Sequence, residues 1–96
     1  MLIEKNFQEG DTISAKCVNG DELVGRLEKI NDDIITVKKP MMCLMTQKGV
    51  GLVPFMVSLN PDSSVDVTRS HIISIAKTHK PIADHYIELT TGLKLN

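Results

Sequence analysis

Residues 19–39 read Asn19-Gly20-Asp21-Glu22-Leu23-Val24-Gly25-Arg26-Leu27-Glu28-Lys29-Ile30-Asn31-Asp32-Asp33-Ile34-Ile35-Thr36-Val37-Lys38-Lys39, two extended runs with a turn before each. Asn19-Gly20 is a strong turn signal, because both residues tolerate positive φ. The run from Leu23 to Ile30 carries Gly25 in its interior, and a glycine there marks a sharp bend or a close backbone approach. Asn31-Asp32-Asp33 is the next turn, and Ile34 to Lys39 is rich in the β-branched residues that favour strands. The stretch predicts a hairpin with a bend built into its first strand.

Working outward, Ile13, Ala15 and Cys17 alternate with Thr12, Ser14 and Lys16, the period of a half-buried strand. Residues 1–10 read as a short helix or an arm that Gly10-Asp11 ends. On the other side Pro40 interrupts or ends its ladder, having no N–H to donate. Met41 to Met45 is the most apolar run, and Lys48-Gly49-Val50-Gly51 reads as a hairpin tip. Val53, Phe55, Val57 and Leu59 alternate as a further strand, with Pro54 pointing to an edge or a bulge. Asn60 to Ser64 is a loop, Val65 begins a short extended piece, and His71 to Ala76 is a last strand. The tail leaves two readings open. Pro81 and Gly92 frame a helix with Ile82, Tyr86 and Leu89 on one face, while Tyr86 to Leu95 also suits a hairpin. Five short strands joined by tight turns imply one small, strongly bent all-β barrel with a long hairpin and short terminal helices.

Ninety-six residues make one domain, and with only Phe7, Phe55 and Tyr86 as aromatics the core must be aliphatic. Net charge is −1, which removes any bulk pull toward nucleic acid or anionic membrane. The charge is uneven, however. Residues 1–33 hold eight acids against Lys5, Lys16, Arg26 and Lys29; residues 34–80 hold six bases against Asp62 and Asp66. Gathered on one surface, those bases would form a local basic patch; scattered, they are ordinary solvated charge. Cys17 and Cys43 make neither a metal spacing nor a disulfide framework. The start lacks a secretory apolar segment, and no stretch reaches the roughly 20 apolar residues of a membrane span. A cytoplasmic, reducing setting without a membrane partner is the expectation.

Asn19-Gly20, Leu23, Gly25, Leu27 and Asn31, followed by Ile34-Ile35, resemble the first motif of the Sm-like (LSm and Hfq-like) family. There a glycine is followed by a second five residues on, an apolar residue two later, and an Asp about four later. Arg69-Ser70-His71-Ile72-Ile73-Ser74-Ile75 resembles the second motif, in which an Arg-Gly-Asn or Lys-His turn leads into a short apolar strand. The resemblance divides the single domain into a first motif over residues 12–39, a long hairpin and loop over 40–64, a second motif over 65–76 and an extension over 77–96. It implies a five-stranded SH3-type barrel whose open edges pair between neighbours into a homo-oligomeric ring of roughly five to seven subunits. It places the interface on Val53, Phe55, Val57, Ile72, Ile73 and Ile75, and the structural turn and bend on Gly20 and Gly25. The Met residues between 41 and 59 serve that interface or fill the core.

The family binds single-stranded RNA around its pore, and the second-motif share of that site falls on Arg69, Ser70 and His71. Arg69 would stack on a base or bind phosphate, or else form an intersubunit ion pair; His71 would bond a base or cap a turn. Lys38 and Lys39 would offer phosphate contacts away from the pore. The first-motif share departs from the family. Asn31 replaces the Asp, Asp33 occupies the stacking position and Ile35 replaces the Asn, and an aspartate offers no π face and repels phosphate. No phosphate-cradling loop, Cys/His metal pattern or nucleophile elbow is present, so no catalytic residue, metal or cofactor is expected. Three function classes remain: an RNA-binding ring, a ring that scaffolds proteins after losing its base pocket, and a monomeric barrel module within a larger complex.

Overall fold

A computed structural model describes residues 6–93. Its strands are β1 Thr12–Cys17, β2 Glu22–Ile30, β3 Ile34–Thr46, β4 Gly49–Pro54, β5 Ser64–Thr68 and β6 Ile72–Lys77, followed by helix α1 Lys80–Thr91. All ladders are antiparallel, in the order β4-β3-β2-β1-β6, with β5 also paired to β3. Thus β5 and β4 share one edge of β3, against residues 34–38 and 41–46 respectively.

Alternation along β1 to β3 decides which face is buried. Ile13, Ala15, Leu23, Leu27, Ile35 and Val37 form an aliphatic core, and Phe7, Ile30, Phe55, Val67, Ile72 and Ile75 pack around it. Val24 points to the other face yet is fully buried. On that second face Thr12, Arg26 and Tyr86 line a shared pocket, and the Ser14 and Thr78 hydroxyls pair at 2.8 Å.

Among the described residues the sheet is open: six strands are present where five were expected, and β5 and β6 form no ladder with each other, so the expected closed barrel is not the observed hydrogen-bonding pattern. The sixth strand is β5, where the sequence predicts only a short extended piece from Val65, and the run Val53 to Leu59 is not strand throughout. β4 stops at Pro54, the Phe55 N–H turns back to the Pro40 carbonyl (3.2 Å), and Leu59 N–H closes a turn on Met56 (3.1 Å). Pro40 does not end its strand. The β2–β3 register slips between Val24 and Arg26, so Gly25 faces a bulge at Lys39-Pro40, where a missing N–H breaks no ladder bond. Lys39 takes φ +51° to make that kink. Gly25 permits it: a Cβ there would overlap the Val37 side chain and stand 3.2 Å from the Lys38 carbonyl.

The tail is helical rather than a hairpin, with Pro81 in the first turn and Gly92, φ +76°, donating to the Glu88 carbonyl as C-cap. Within the N-terminal arm, residues 6–10 run as bends and a turn; residues 1–5, the rest of the expected helix or arm, lie outside the described residues.

Candidate functional site

Two turns meet, residues 31–33 between β2 and β3 and residues 69–71 between β5 and β6, and the second also reaches Val18 just past the end of β1. Asn31 folds its own turn by accepting, on Oδ1, the N–H groups of Asp33 (2.8 Å) and Ile34 (3.0 Å). Between β5 and β6 a single 3₁₀ turn, Arg69–His71, lies alongside it. Arg69 Nη1 donates to the Asn31 carbonyl at 2.7 Å, and the Arg69 N–H donates to the Asp33 carbonyl at 2.9 Å. The His71 carbonyl accepts from Val18, tying in the Asn19-Gly20 turn (2.8 Å). The two stretches singled out in the sequence, 38 residues apart at Asn31 and Arg69, are therefore joined by direct hydrogen bonds.

The chemistry of this juncture is mixed. Arg69 is half-buried and spends one of its five N–H donors, leaving the rest of the fork for a ligand. Ser70 and His71 are exposed beside it. So are Asp32 and Asp33, whose carboxylates oppose a phosphate. A groove of about 250 Å³ runs from Arg69 along Ile72 to Ile75, with Phe7 on its wall.

Lys38 and Lys39 belong elsewhere. They stand four and five residues along β3 from Ile34, about 13–16 Å at roughly 3.3 Å per residue. The Lys39 ammonium donates to the Thr90 carbonyl at 3.0 Å and meets Asp62 at 3.8 Å, so much of its bonding capacity is engaged by its own chain. Of the interface candidates, Phe55, Ile72 and Ile75 lean on the subunit's own core, whereas Val53, Val57 and Ile73 are exposed, Ile73 by 67%. Gly20 holds φ +95° at its turn, and Gly25 lies at the kink.

Tyr86 was legible only as an apolar helix position. It is 3% exposed, and its hydroxyl bridges the carbonyls of Lys38 and Lys39, both at 2.9 Å. Burial pushes its phenol from 10.0 up to about 12, against a smaller downward pull from the Arg26 N–H and charge. Hydropathy along a helix cannot reveal the partner of a hydroxyl. Cys17 and Cys43 are free, and burial raises both thiols, with Asp21 and Glu22 respectively adding to the rise. That environment suppresses the reactive thiolate. Among the described residues no helix is long and apolar enough to cross a membrane. Neither known family models nor curated proteins match this chain.

Proposed function

We propose that this chain is an Sm-type subunit that assembles head to tail into a homo-oligomeric ring and holds single-stranded RNA at the Asn31/Arg69–His71 juncture. The observation that carries the reading is the 2.7 Å bond from Arg69 to the Asn31 carbonyl, which unites the two motif turns. The strand order supports it: the last strand lies beside the first, and among the described residues β4, β5 and β6 are each paired on one side only and leave unpaired edges in one subunit. Such edges invite pairing with another chain, and head-to-tail pairing closes when the rotation fits. In this proposal the bent, open antiparallel sheet is the subunit fold, and the Arg69 fork is the RNA contact. The ring stands in the cytoplasm and performs no catalysis.

A second reading, a protein-scaffolding ring, is favoured by the exposed Asp32 and Asp33 at the same juncture. Native mass spectrometry with and without nuclease separates the readings. A ring carrying nuclease-sensitive mass, with salt-dependent RNA binding that Arg69→Ala abolishes, supports the first. A ring that binds no RNA at low salt overturns it in favour of the scaffold, and a monomer overturns both.

A further inference from the structure

Arg26 of β2 and Lys38 of β3 are directly opposed across the ladder. Opposed side chains share one face of the sheet with Cβ atoms roughly 5 Å apart, where like charges repel. Arg26's other cross-strand neighbour is the uncharged Thr12 of β1. Among the described residues neither cationic group has an ion pair, in contrast to Lys39 beside them. Both border a pocket of about 290 Å³ between the sheet and α1, with Thr12, Tyr86 and Ile87 among its walls.

The hydrogen bonds around the pocket say which groups are left for a ligand. Tyr86 gives its proton to the Lys38 and Lys39 carbonyls. Thr90 and Thr91 give theirs to helix carbonyls, at 2.8 Å to Tyr86 and 2.6 Å to Ile87. The Thr90 carbonyl, which would repel an anion at the negative end of the helix, is covered by the Lys39 ammonium. What remains is a guanidinium fork, an ammonium and the Thr12 hydroxyl, against an apolar wall from Ile87 and the Tyr86 ring. A fork with a point charge beside it is matched to the oxygens of a phosphate.

We propose that this pocket binds the phosphate group of a small phosphate monoester, held by Arg26 and Lys38. The site is separate from the Arg69 contact of the RNA reading, since it lies about 13 Å along β3 from the Arg69 turn at roughly 3.3 Å per residue.

Amide NMR on the full chain, titrated separately with inorganic phosphate, adenosine 5′-monophosphate and adenosine, tests this. Saturable shifts at Thr12, Arg26, Lys38 and Ile87 are expected with the nucleotide. Arg26→Gln with Lys38→Gln should weaken them roughly tenfold or more, and Arg69→Ala should leave them unchanged. Inorganic phosphate binding as tightly as the nucleotide would identify the free anion as source of the same phosphate chemistry; tighter nucleotide binding would identify the monoester. Equal shifts with adenosine, or none with either phosphate, overturn the proposal. Thermal melting gives a second readout. In phosphate-free buffer the double substitution should melt no lower than the parent, because it removes a repulsion, and phosphate should raise the parent's Tm alone. A phosphate-induced rise of equal size in the double variant overturns the proposal too.

Discussion

Gly25 and Gly20 are both glycines in the first hairpin, but for different reasons, and the difference is measurable. At Gly20 the space is open and only φ +95° restricts the residue, so Gly20→Ala should cost about 1 kcal/mol. At Gly25 the obstacle is the buried, β-branched Val37 side chain and the Lys38 carbonyl, neither of which can move aside cheaply. Gly25→Ala should therefore cost more, about 1–3 kcal/mol as an overpacked core, by urea unfolding. A smaller loss at Gly25 than at Gly20 would show that β2 and β3 do not approach so closely. Tyr86 makes a prediction that depends on pH. Its phenol is neutral when folded, and its folded value of about 12 lies above the ordinary 10.0. The stabilisation is thus complete below pH 10 and is lost as pH rises through about 12; the gap is worth about 2–3 kcal/mol. At neutral pH Tyr86→Phe leaves the Lys38 and Lys39 carbonyls without their phenolic donor and should cost about 1–3 kcal/mol. Across pH 10–12 the variant should lose less stability than the parent, the lysines titrating equally in both. Parallel losses would mean that the phenol is not held in the buried clamp.

At the scale of elements, β3 behaves as two strands hinged at Lys39-Pro40. Its first half is flanked by β2 and β5 and carries Ile35 and Val37 into the core. Its second half forms a ribbon with β4 that extends past the end of β2's pairing, and Leu44, Met45 and Val50 are exposed there. Ribbons with few buried apolar contacts open locally at low free energy. Amides of Leu44 to Val50 should therefore exchange with solvent faster than those of Ile13, Leu27 and Ile35 by an order of magnitude or more; uniform protection would contradict the hinge. The same hinge marks where the sequence stops being legible. The turn at Asn19-Gly20, the bend at Gly25 and the alternation of β1 are local properties, written within a few residues, and they came through. The passage of β3 through Pro40 depends on a register slip in its neighbour, and β4 ends inside the run Val53 to Leu59 where β5 takes over the same edge of β3. Neither is a property of the segment that displays it. The helical tail falls between these cases. Pro81 and Gly92 frame it correctly, but the short apolar pattern fits either structure until Tyr86 is seen against the kink. The candidate site divides similarly. Arg69 was identifiable, whereas its partner is a backbone carbonyl, which no side-chain pattern encodes.

For the whole molecule the decisive quantity is what happens to the strand edges left over once one chain has folded. Among the described residues β4, β5 and β6 each have a free side, and on β6 Ile73 projects into solvent with 67% of its surface exposed. Main-chain groups on an unpaired edge next to apolar side chains are a template for another strand, and in the proposed ring the template is used by the neighbouring subunit. A charge placed there should break assembly without damaging the subunit. Ile73 is absent from the core, so Ile73→Lys should change the stability of the monomer by no more than about 0.5 kcal/mol, as for ordinary surface substitutions. Ile72→Lys is the contrasting change. Its side chain leans on the core, so it should destabilise the subunit itself. Native mass spectrometry and light scattering at matched concentration read the first effect, and urea unfolding of dilute protein reads the second. The ring proposal requires the parent to be a closed oligomer, Ile73→Lys a folded monomer, and Ile72→Lys a less stable chain in any state of assembly. If Ile73→Lys assembles as the parent does, the β6 edge is not the joint. The exposed side chains near the β4 edge, Val53 and Val57, then become the surface through which copies meet.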